Sequence, residues 1–189
     1  MLYRPINPRH TSRQSGASLI EVLVAILLLS FGMLALGAMM SFAVQMPKLS
    51  ALRATAANLA ASHVERIRAN PGAFRIGSYS SALNYDGTTN VLTLANCTYP
   101  NCTEASLAQM DIKATQKAVR EQLPAGGMLS TCSTSPCTTG SYGNLWIIWQ
   151  EPTTYAALNP SSSDNCPATV TSTYTNPRPR CLYVRYKVD

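Results

Sequence analysis

The sequence predicts an α+β fold, in which a long N-terminal helix and a second helix pack against an antiparallel sheet. Three observations lead to this prediction. Residues 22–44 carry no charge, an apolar stripe of helical period follows them, and the remaining chain alternates short strand signals with turns and cysteines. The chain therefore divides into a leader, an apolar rod and a polar body whose C-terminal region is expected to be held by disulfides.

Composition limits the class of protein without naming a function. The 189 residues are 46% apolar and 13% charged, whereas ordinary globular domains are about 25% charged. This share of charged residues is too low for an intrinsically disordered chain. The formal charge is +6, and the acid-free first 16 residues contribute Arg4, Arg9 and Arg13. The charge is thus concentrated ahead of the apolar segment.

The apolar segment at residues 22–44 is long enough to cross a membrane. As a helix it would extend about 34 Å, against a hydrocarbon core of about 30 Å. One alternative is a buried helix of a soluble core, although such helices rarely have more than about 14 unbroken apolar residues. Another is a secretory signal peptide, because the basic leader suits its first region and residues 35–37 (Ala-Leu-Gly) offer a small-residue cleavage site.

A single carboxylate, Glu21, decides between these interpretations. Such an acid costs about 2.5 to 3.5 kcal/mol at the bilayer centre, so it is normally paired or functional. Residues 16–21 read GASLIE, and this stretch with the apolar run behind it resembles the type III signal of prepilins. The resemblance implies that a membrane-embedded aspartyl peptidase cuts after Gly16 and methylates the new amino terminus at Ala17. Most major pilins begin with phenylalanine, and here alanine stands in its place.

Spacing then suggests what the carboxylate does after cleavage. The amine of Ala17 and the carboxylate of Glu21 lie four residues apart, about 6 Å along one helix face. They can pair with each other or with neighbouring groups. In the type IV pilin family, this acid is thought to meet the amino terminus of an adjacent subunit, so assembly would relieve the cost of a buried charge.

The helix is expected to continue beyond the membrane as an amphipathic segment. Pro47 should bend it or remove a hydrogen bond, and the turn at residues 70–72 (Asn-Pro-Gly) should end it. His63 lies within the apolar stripe and is expected to be a tolerated or hydrogen-bonded core residue rather than a ligand. The stripe comprises Leu49, Leu52, Ala56, Leu59, His63 and Ile67.

The polar body contains further helix and strand signals. A weak strand is expected at residues 90–94 after the turn at residues 86 and 87, and stronger strands at 128–132, 144–150 and 181–188. The strand at 144–150 is apolar on both faces, so it should be central. Thr103 should cap a helix that ends near Leu123 and Pro124. Its expected core face comprises Leu107, Met110, Ala114 and Ala118.

The body adds a second resemblance. A helix closing in LPAGG at residues 123–127, a short strand into a cysteine, the stretch LWIIWQE at 145–151 and a terminal strand are similar to the PilV type of minor pilin. Members usually carry a tryptophan within that helix, where Gln116 or a neighbour stands here. The resemblance implies a pilin fold with a leader at 1–16, a transmembrane segment at 17–46, an amphipathic helix at 47–71 and a periplasmic head at 72–189.

The same resemblance implies a role in pilus assembly. The expected function is a minor pilin that helps initiate the type IV pilus at its tip and supports twitching motility and adhesion. The implied partners are other minor pilins, the major pilin, a PilY-type tip adhesin, the prepilin peptidase and the inner-membrane assembly platform. Before assembly the chain would cross the inner membrane once, with its N-terminus cytoplasmic, and afterwards it would lie at the pilus tip. The alternative is a minor pseudopilin of type II secretion.

Six cysteines behind a translocated segment indicate disulfides formed in an oxidising compartment. Six cysteines allow 15 pairings. Sequence proximity favours Cys97 with Cys102, Cys132 with Cys137, and Cys166 with Cys181. A metal site is disfavoured because the CxxC spacing of zinc sites is absent and the mature chain keeps one histidine.

The sequence contains no catalytic constellation or cofactor motif, so no enzyme activity, cofactor or metal is expected. Loss of the leader lowers the formal charge to +3. A basic cluster at Arg178, Arg180, Arg185 and Lys187, with Tyr183 and Tyr186 interleaved, offers DNA binding as a less favoured alternative. The alternation of this stretch more simply predicts one solvated face of a half-buried strand.

Overall fold

The computed structural model describes residues 16, 18–98, 100–135, 137, 138, 140–151 and 164–188. The chain divides into two compact units, residues 1–44 and 45–189. The expected α+β class, with a long helix and an antiparallel sheet, is confirmed. In chain order the elements are α1 (Leu19–Ala69), α2 (Pro71–Arg75), α3 (Glu104–Gln122), β1 (Gly127–Cys132), β2 (Tyr142–Trp149), α4 (Ala168–Thr173) and β3 (Arg180–Lys187).

Helix α1 has 51 residues and continues through Pro47. Its second part confirms the predicted amphipathic stripe, because Leu49, Ala56, His63 and Ile67 are buried while Leu52 and Leu59 are half-buried. Burial on that stripe places this part of α1 against the protein's own core.

The exit from α1 is a second short helix rather than a simple turn. Helix α1 ends at Ala69, and the side-chain oxygen of Asn70 accepts a hydrogen bond from the amide of Ala73 at 3.4 Å. Pro71 occupies the first helical position, where its missing donor costs nothing. The same Asn-Pro-Gly residues that end α1 therefore start α2.

The sheet is antiparallel, with the strand order β1-β2-β3. Leu145 of β2 lies opposite Ser130 of β1 and Val184 of β3, so the predicted central position of this strand is confirmed. The inner face packs on α1 and α3, with Met128, Leu145, Ile147, Trp149 and Tyr186 in the main core. Helix α4 covers one end of the outer face, where Val170 packs in a second cluster with Ile148 and Cys181.

The strand predicted at residues 90–94 is wrong, because these residues form no strand. Val91 and Leu94 are 79% and 57% exposed. The edge of β1 is instead occupied by an earlier segment, since the amides of Ser81 and Asn84 donate to the carbonyls of Ser130 and Met128 at 2.9 and 3.2 Å. No free edge is left there for residues 90–94 to join.

Helix α3 begins as predicted, with Thr103 as its N-cap accepting from the amide of Ser106 at 3.2 Å. Its predicted core face is wrong by about one residue. Leu107 is 42% exposed, and Met110, Ala114 and Ala118 are half-buried. The buried residues of α3 are Ala108, Ile112, Thr115, Gln116, Val119 and Arg120. Three of these six are polar, so an apolar period could not reveal the face.

Candidate processing and assembly site

Gly16 lies just before α1, outside any helix or strand, and is exposed, whereas Ala17 and residues 1–15 lie outside the described residues. A Cβ added at Gly16 would meet no described atom within 4 Å. The described fold therefore places no steric demand for glycine at this position. A requirement for glycine would have to come from a protein that binds this segment.

Glu21 lies in the first turn of α1 and is exposed. Ser18 immediately precedes the helix, and its carbonyl accepts from the amides of Glu21 at 2.9 Å and Val22 at 3.2 Å. A carboxylate in the first turn is favoured by the positive end of the helix dipole. Ser18 and Glu21 also have the S-x-x-E spacing of a capping box, a helix-start signal that the sequence reasoning missed.

The surface of α1 behind Glu21 is apolar on all sides. Leu28 is 67% exposed, Phe31 is 64% exposed and Met46 is 47% exposed. By length and composition, α1 could cross a membrane, and it is the one such helix found in the described part of the chain. The Ser30 hydroxyl donates to the Ile26 carbonyl at 2.8 Å, so this polar group is satisfied within the helix. Such a surface requires lipid or an apolar partner around it.

The six cysteines form three disulfides, Cys97–Cys102, Cys132–Cys137 and Cys166–Cys181. These are the pairs that sequence proximity favours. The first precedes the N-cap of α3, the second follows β1, and the third joins the segment before α4 to β3. Each bridge therefore holds a loop to the start or end of a regular element.

His63 is a hydrogen-bonded core residue, as expected. It is fully buried, and its Nδ1 lies 2.9 Å from the Thr115 hydroxyl. That hydroxyl donates its own proton to the Asp111 carbonyl at 2.9 Å, so Nδ1 must be the donor to Thr115. Burial is the main cause that lowers the pKa of His63 to about 4. The negative charge of Asp111 raises this pKa in part, and the positive charge of Arg66 lowers it further. The ring is therefore neutral near pH 7.

The fold creates a buried charge cluster that sequence spacing did not reveal. Arg180 Nε lies 2.9 Å from Asp164 Oδ2 and 3.6 Å from Glu151 Oε2, and all three side chains are at most 7% exposed. Arg53 of α1 reaches the other oxygen of Asp164 at 3.6 Å. The two acids are 13 residues apart in sequence, so their proximity became visible only in the fold.

This cluster corrects the predicted basic patch. Arg180 is buried among acids, and Tyr186 is 5% exposed on the inner face of the sheet. Arg185 and Lys187 are exposed on the outer face of β3, as the alternation predicts. The patch thus shrinks from four cations to Arg178, Arg185 and Lys187, which weakens the case for DNA binding.

Two comparisons with protein families fit this geometry. Residues 11–37, which contain Gly16 and Glu21, match the prokaryotic N-terminal methylation motif. Residues 38–113, from the first part of α1 into α3, match the family described as type IV pilin Tt1218. Neither a curated protein nor a solved structure matches the chain significantly. The matched family is structural rather than enzymatic, and the motif together with the apolar helix indicates membrane anchoring. Over residues 11–113 these matches support a type IV pilin with a prepilin N-methylation motif, and hence a subunit of a pilus or pseudopilus.

Proposed function

We propose that this chain is a minor pilin of the PilV type that helps initiate the type IV pilus in a tip complex with other minor pilins. In that role it supports twitching motility and adhesion. The observation that carries the proposal is a helix surface exposed and apolar on all sides, with one carboxylate, Glu21, at its start. The PilV assignment is supported by the order of α3, the LPAGG turn, β1 ending at Cys132 and the tryptophan-bearing β2.

Processing by the prepilin peptidase comes first in this proposal. Residues 1–16 are the leader, residues 17–46 span the inner membrane, residues 47–71 form the amphipathic half of the helix, and residues 72–189 form the periplasmic head. The arginines of the leader stay on the cytoplasmic side. Three disulfides behind the apolar segment fit a head in the oxidising periplasm. Gly16 is open on all described sides, which suits recognition by a peptidase that needs a residue without a side chain.

Assembly follows cleavage. In the membrane the carboxylate of Glu21 costs free energy until a positive group neutralises it. The methylated amino terminus of a neighbouring subunit supplies that charge when the two helices are in register. The partners of this step are other minor pilins, the major pilin, the PilY-type tip adhesin and the assembly platform of the inner membrane.

Two variants separate assembly from processing. Glu21→Ala should still be inserted and cut, because the peptidase depends chiefly on Gly16, but it should enter filaments poorly and reduce surface pili severalfold. Gly16→Val should leave an uncut precursor that cannot assemble. Glu65→Ala is the matched control, since this acid is exposed on the second half of α1 and pairs with Arg68.

The measurement compares precursor size, sheared filament content and surface pili in a strain that lacks the wild-type copy. Wild-type piliation with Glu21→Ala would contradict the assembly role of the carboxylate. Normal piliation in the deletion strain, with a defect in protein secretion instead, would assign the chain to a type II secretion pseudopilus.

A further inference from the structure

The outer face of the sheet carries an unusual set of side chains where α4 does not cover it. Three rows of paired residues cross this face. In order along β2, they are Leu129, Trp146 and Tyr183, then Thr131, Asn144 and Arg185, then Tyr142 and Lys187. We name the exposed part of these rows the aromatic-basic face. It consists of Leu129, Thr131, Tyr142, Asn144, Trp146, Tyr183, Arg185 and Lys187, all half-buried or exposed.

Trp146 and Tyr183 form one apolar patch on this face. Their rings stack with centroids 5.0 Å apart at an angle of 32°. The Trp146 indole donates to the Asn165 carbonyl at 2.9 Å, and the Tyr183 hydroxyl donates to Asn144 Oδ1 at 2.8 Å. Because both polar ends are held, the rings are fixed side by side as a rigid platform.

Cations continue the same face away from this platform, with Arg185 in the next row and Lys187 in the row after it. The Arg185 guanidinium sits 4.0 Å from the centroid of the Tyr142 ring, and Arg185 and Lys187 are both exposed. No outward position of the three strands holds an aspartate or glutamate. The face is therefore positively charged as well as aromatic, and an acidic ligand complements it.

We propose that the aromatic-basic face binds an acidic polysaccharide, a function that does not depend on the proposed role in pilus initiation. The apolar side of a sugar ring packs on Trp146 and Tyr183, and the carboxylate of a uronic acid meets Arg185. Thr131 and Asn144 lie in the same row as Arg185, next to the row of the platform, where the Thr131 hydroxyl and the Asn144 side-chain amide can bond sugar hydroxyls.

Single-stranded nucleic acid fits the face less well. Such strands need successive stacking sites and a track of cations along the backbone. Trp146 and Tyr183 stack on each other and so present one patch, and Arg180 of the same strand is buried with Asp164 and Glu151. One ring platform with cations at one side suits one acidic sugar residue.

The test is equilibrium binding of three probes to the full-length mature protein in a detergent without a sugar headgroup. The probes are alginate oligosaccharides, neutral dextran oligosaccharides and oligothymidylate. We expect alginate to bind, dextran not to bind and oligothymidylate to bind more weakly than alginate. Arg185→Gln should weaken alginate binding about tenfold, because it removes a hydrogen bond to a charged group. Trp146→Ala should weaken it by about the same factor, because it removes half of the platform on which the sugar ring packs.

Two controls keep the result interpretable if Trp146→Ala disturbs folding. Trp146→Phe retains an aromatic ring and should keep most of the affinity, and Arg75→Gln removes an exposed cation of α2, off the sheet, without effect. Absence of alginate binding, equal binding of dextran or unchanged binding by Arg185→Gln would overturn the proposal. Tighter binding of oligothymidylate than of alginate would overturn it in favour of nucleic acid.

Discussion

His63 shows how a single residue of α1 couples folding to pH. Its Nδ1 donates to Thr115, while its Nε2 is buried without a hydrogen-bond partner among the described residues. An unprotonated Nε2 is an acceptor only, so leaving it unpaired in the neutral ring is tolerable. Protonation would place a charge in the core beside the edge of Tyr79, whose ring centroid is 6.1 Å away.

The pH dependence follows from the lowered pKa. The ordinary histidine pKa of 6.5 applies to the unfolded chain, and the folded value is about 4. Between pH 6.5 and 4, His63 binds a proton in the unfolded state but stays neutral in the folded state. The free energy of unfolding therefore falls as the pH drops from 6.5 to 4, and the loss is complete below pH 4. A difference of this size corresponds to about 3 kcal/mol. The measurement is urea unfolding of a fragment beginning at residue 47, from pH 7.5 to 4.

The control is His63→Gln, which cannot take up a proton in that range. Its stability should depend less steeply on pH between 6.5 and 4, whatever its stability at pH 7.5. Both proteins contain the same carboxylates, so the difference between the two curves reports the substitution at His63. Parallel curves would show that the imidazole is not held neutral by the fold.

At the scale of elements, glycines decide how α3 meets β1. A Cβ at Gly126 would lie 2.1 Å from the carbonyl oxygen of Val119, and one at Gly127 would lie 2.6 Å from the Cα of Tyr85. Backbone on both sides leaves no room for a side chain. The two glycines of the LPAGG turn are therefore required by close packing of α3 and of the segment at Tyr85.

The start of β3 is anchored by charge instead. Arg180 joins Glu151, which follows β2, to Asp164, which precedes α4, and the amide of Cys181 also donates to Asp164 at 3.2 Å. The adjacent disulfide from Cys166 to Cys181 holds the same region covalently. Two kinds of interaction thus connect β3 to the residues before α4.

We expect Arg180→Gln to destabilise the fragment beginning at residue 47 by about 3 to 5 kcal/mol, because it removes the buried cation that Glu151 and Asp164 share and leaves Asp164 only the exposed Arg53. Arg178→Gln is the matched control, two residues away and exposed, and should change stability by less than about 0.5 kcal/mol. Denaturant midpoints measured at pH 7 with the disulfides intact decide the comparison. Equal midpoints for the two variants would mean that Arg180 contributes no more than a surface charge.

At the scale of the whole molecule, α1 serves two environments. Its first part exposes apolar side chains throughout, whereas its second part buries one stripe and exposes charged residues such as Arg53 and Glu65. The first part is suited to lipid or to packed neighbouring helices, and the second part completes a soluble core.

Intact mass tests the maturation of the whole chain. We expect the protein isolated from cells to comprise residues 17–189, to carry one added methyl group, and to be lighter by the six hydrogens that three disulfides remove. An amino terminus near residue 38 would instead indicate an ordinary signal peptide. Six free thiols, or stoichiometric zinc, would contradict the disulfides.

Sequence by itself determined the local features of this protein. The uncharged run, the stripe from Leu49 to Ile67, the Thr103 cap and the central β2 follow from periodicity, polarity and capping, which depend on residues close together in the chain. The GASLIE signal is equally local, which is why it could be recognised without a structure.

Only the tertiary structure decided where polar residues are buried. Arg120 lies on the core face of α3 because distant residues accept hydrogen bonds from its guanidinium at 2.6 to 2.9 Å. The acceptors are the backbone carbonyl of Asn84, the carboxylate of Asp86, and the carbonyl and hydroxyl of Thr88. The spacing of apolar residues in α3 predicted Leu107 on that face instead. The clustering of cations near the C-terminus likewise placed Arg180 in a basic patch. Buried polar groups need partners from distant segments to offset their desolvation, and a pattern along one element contains no information about those partners.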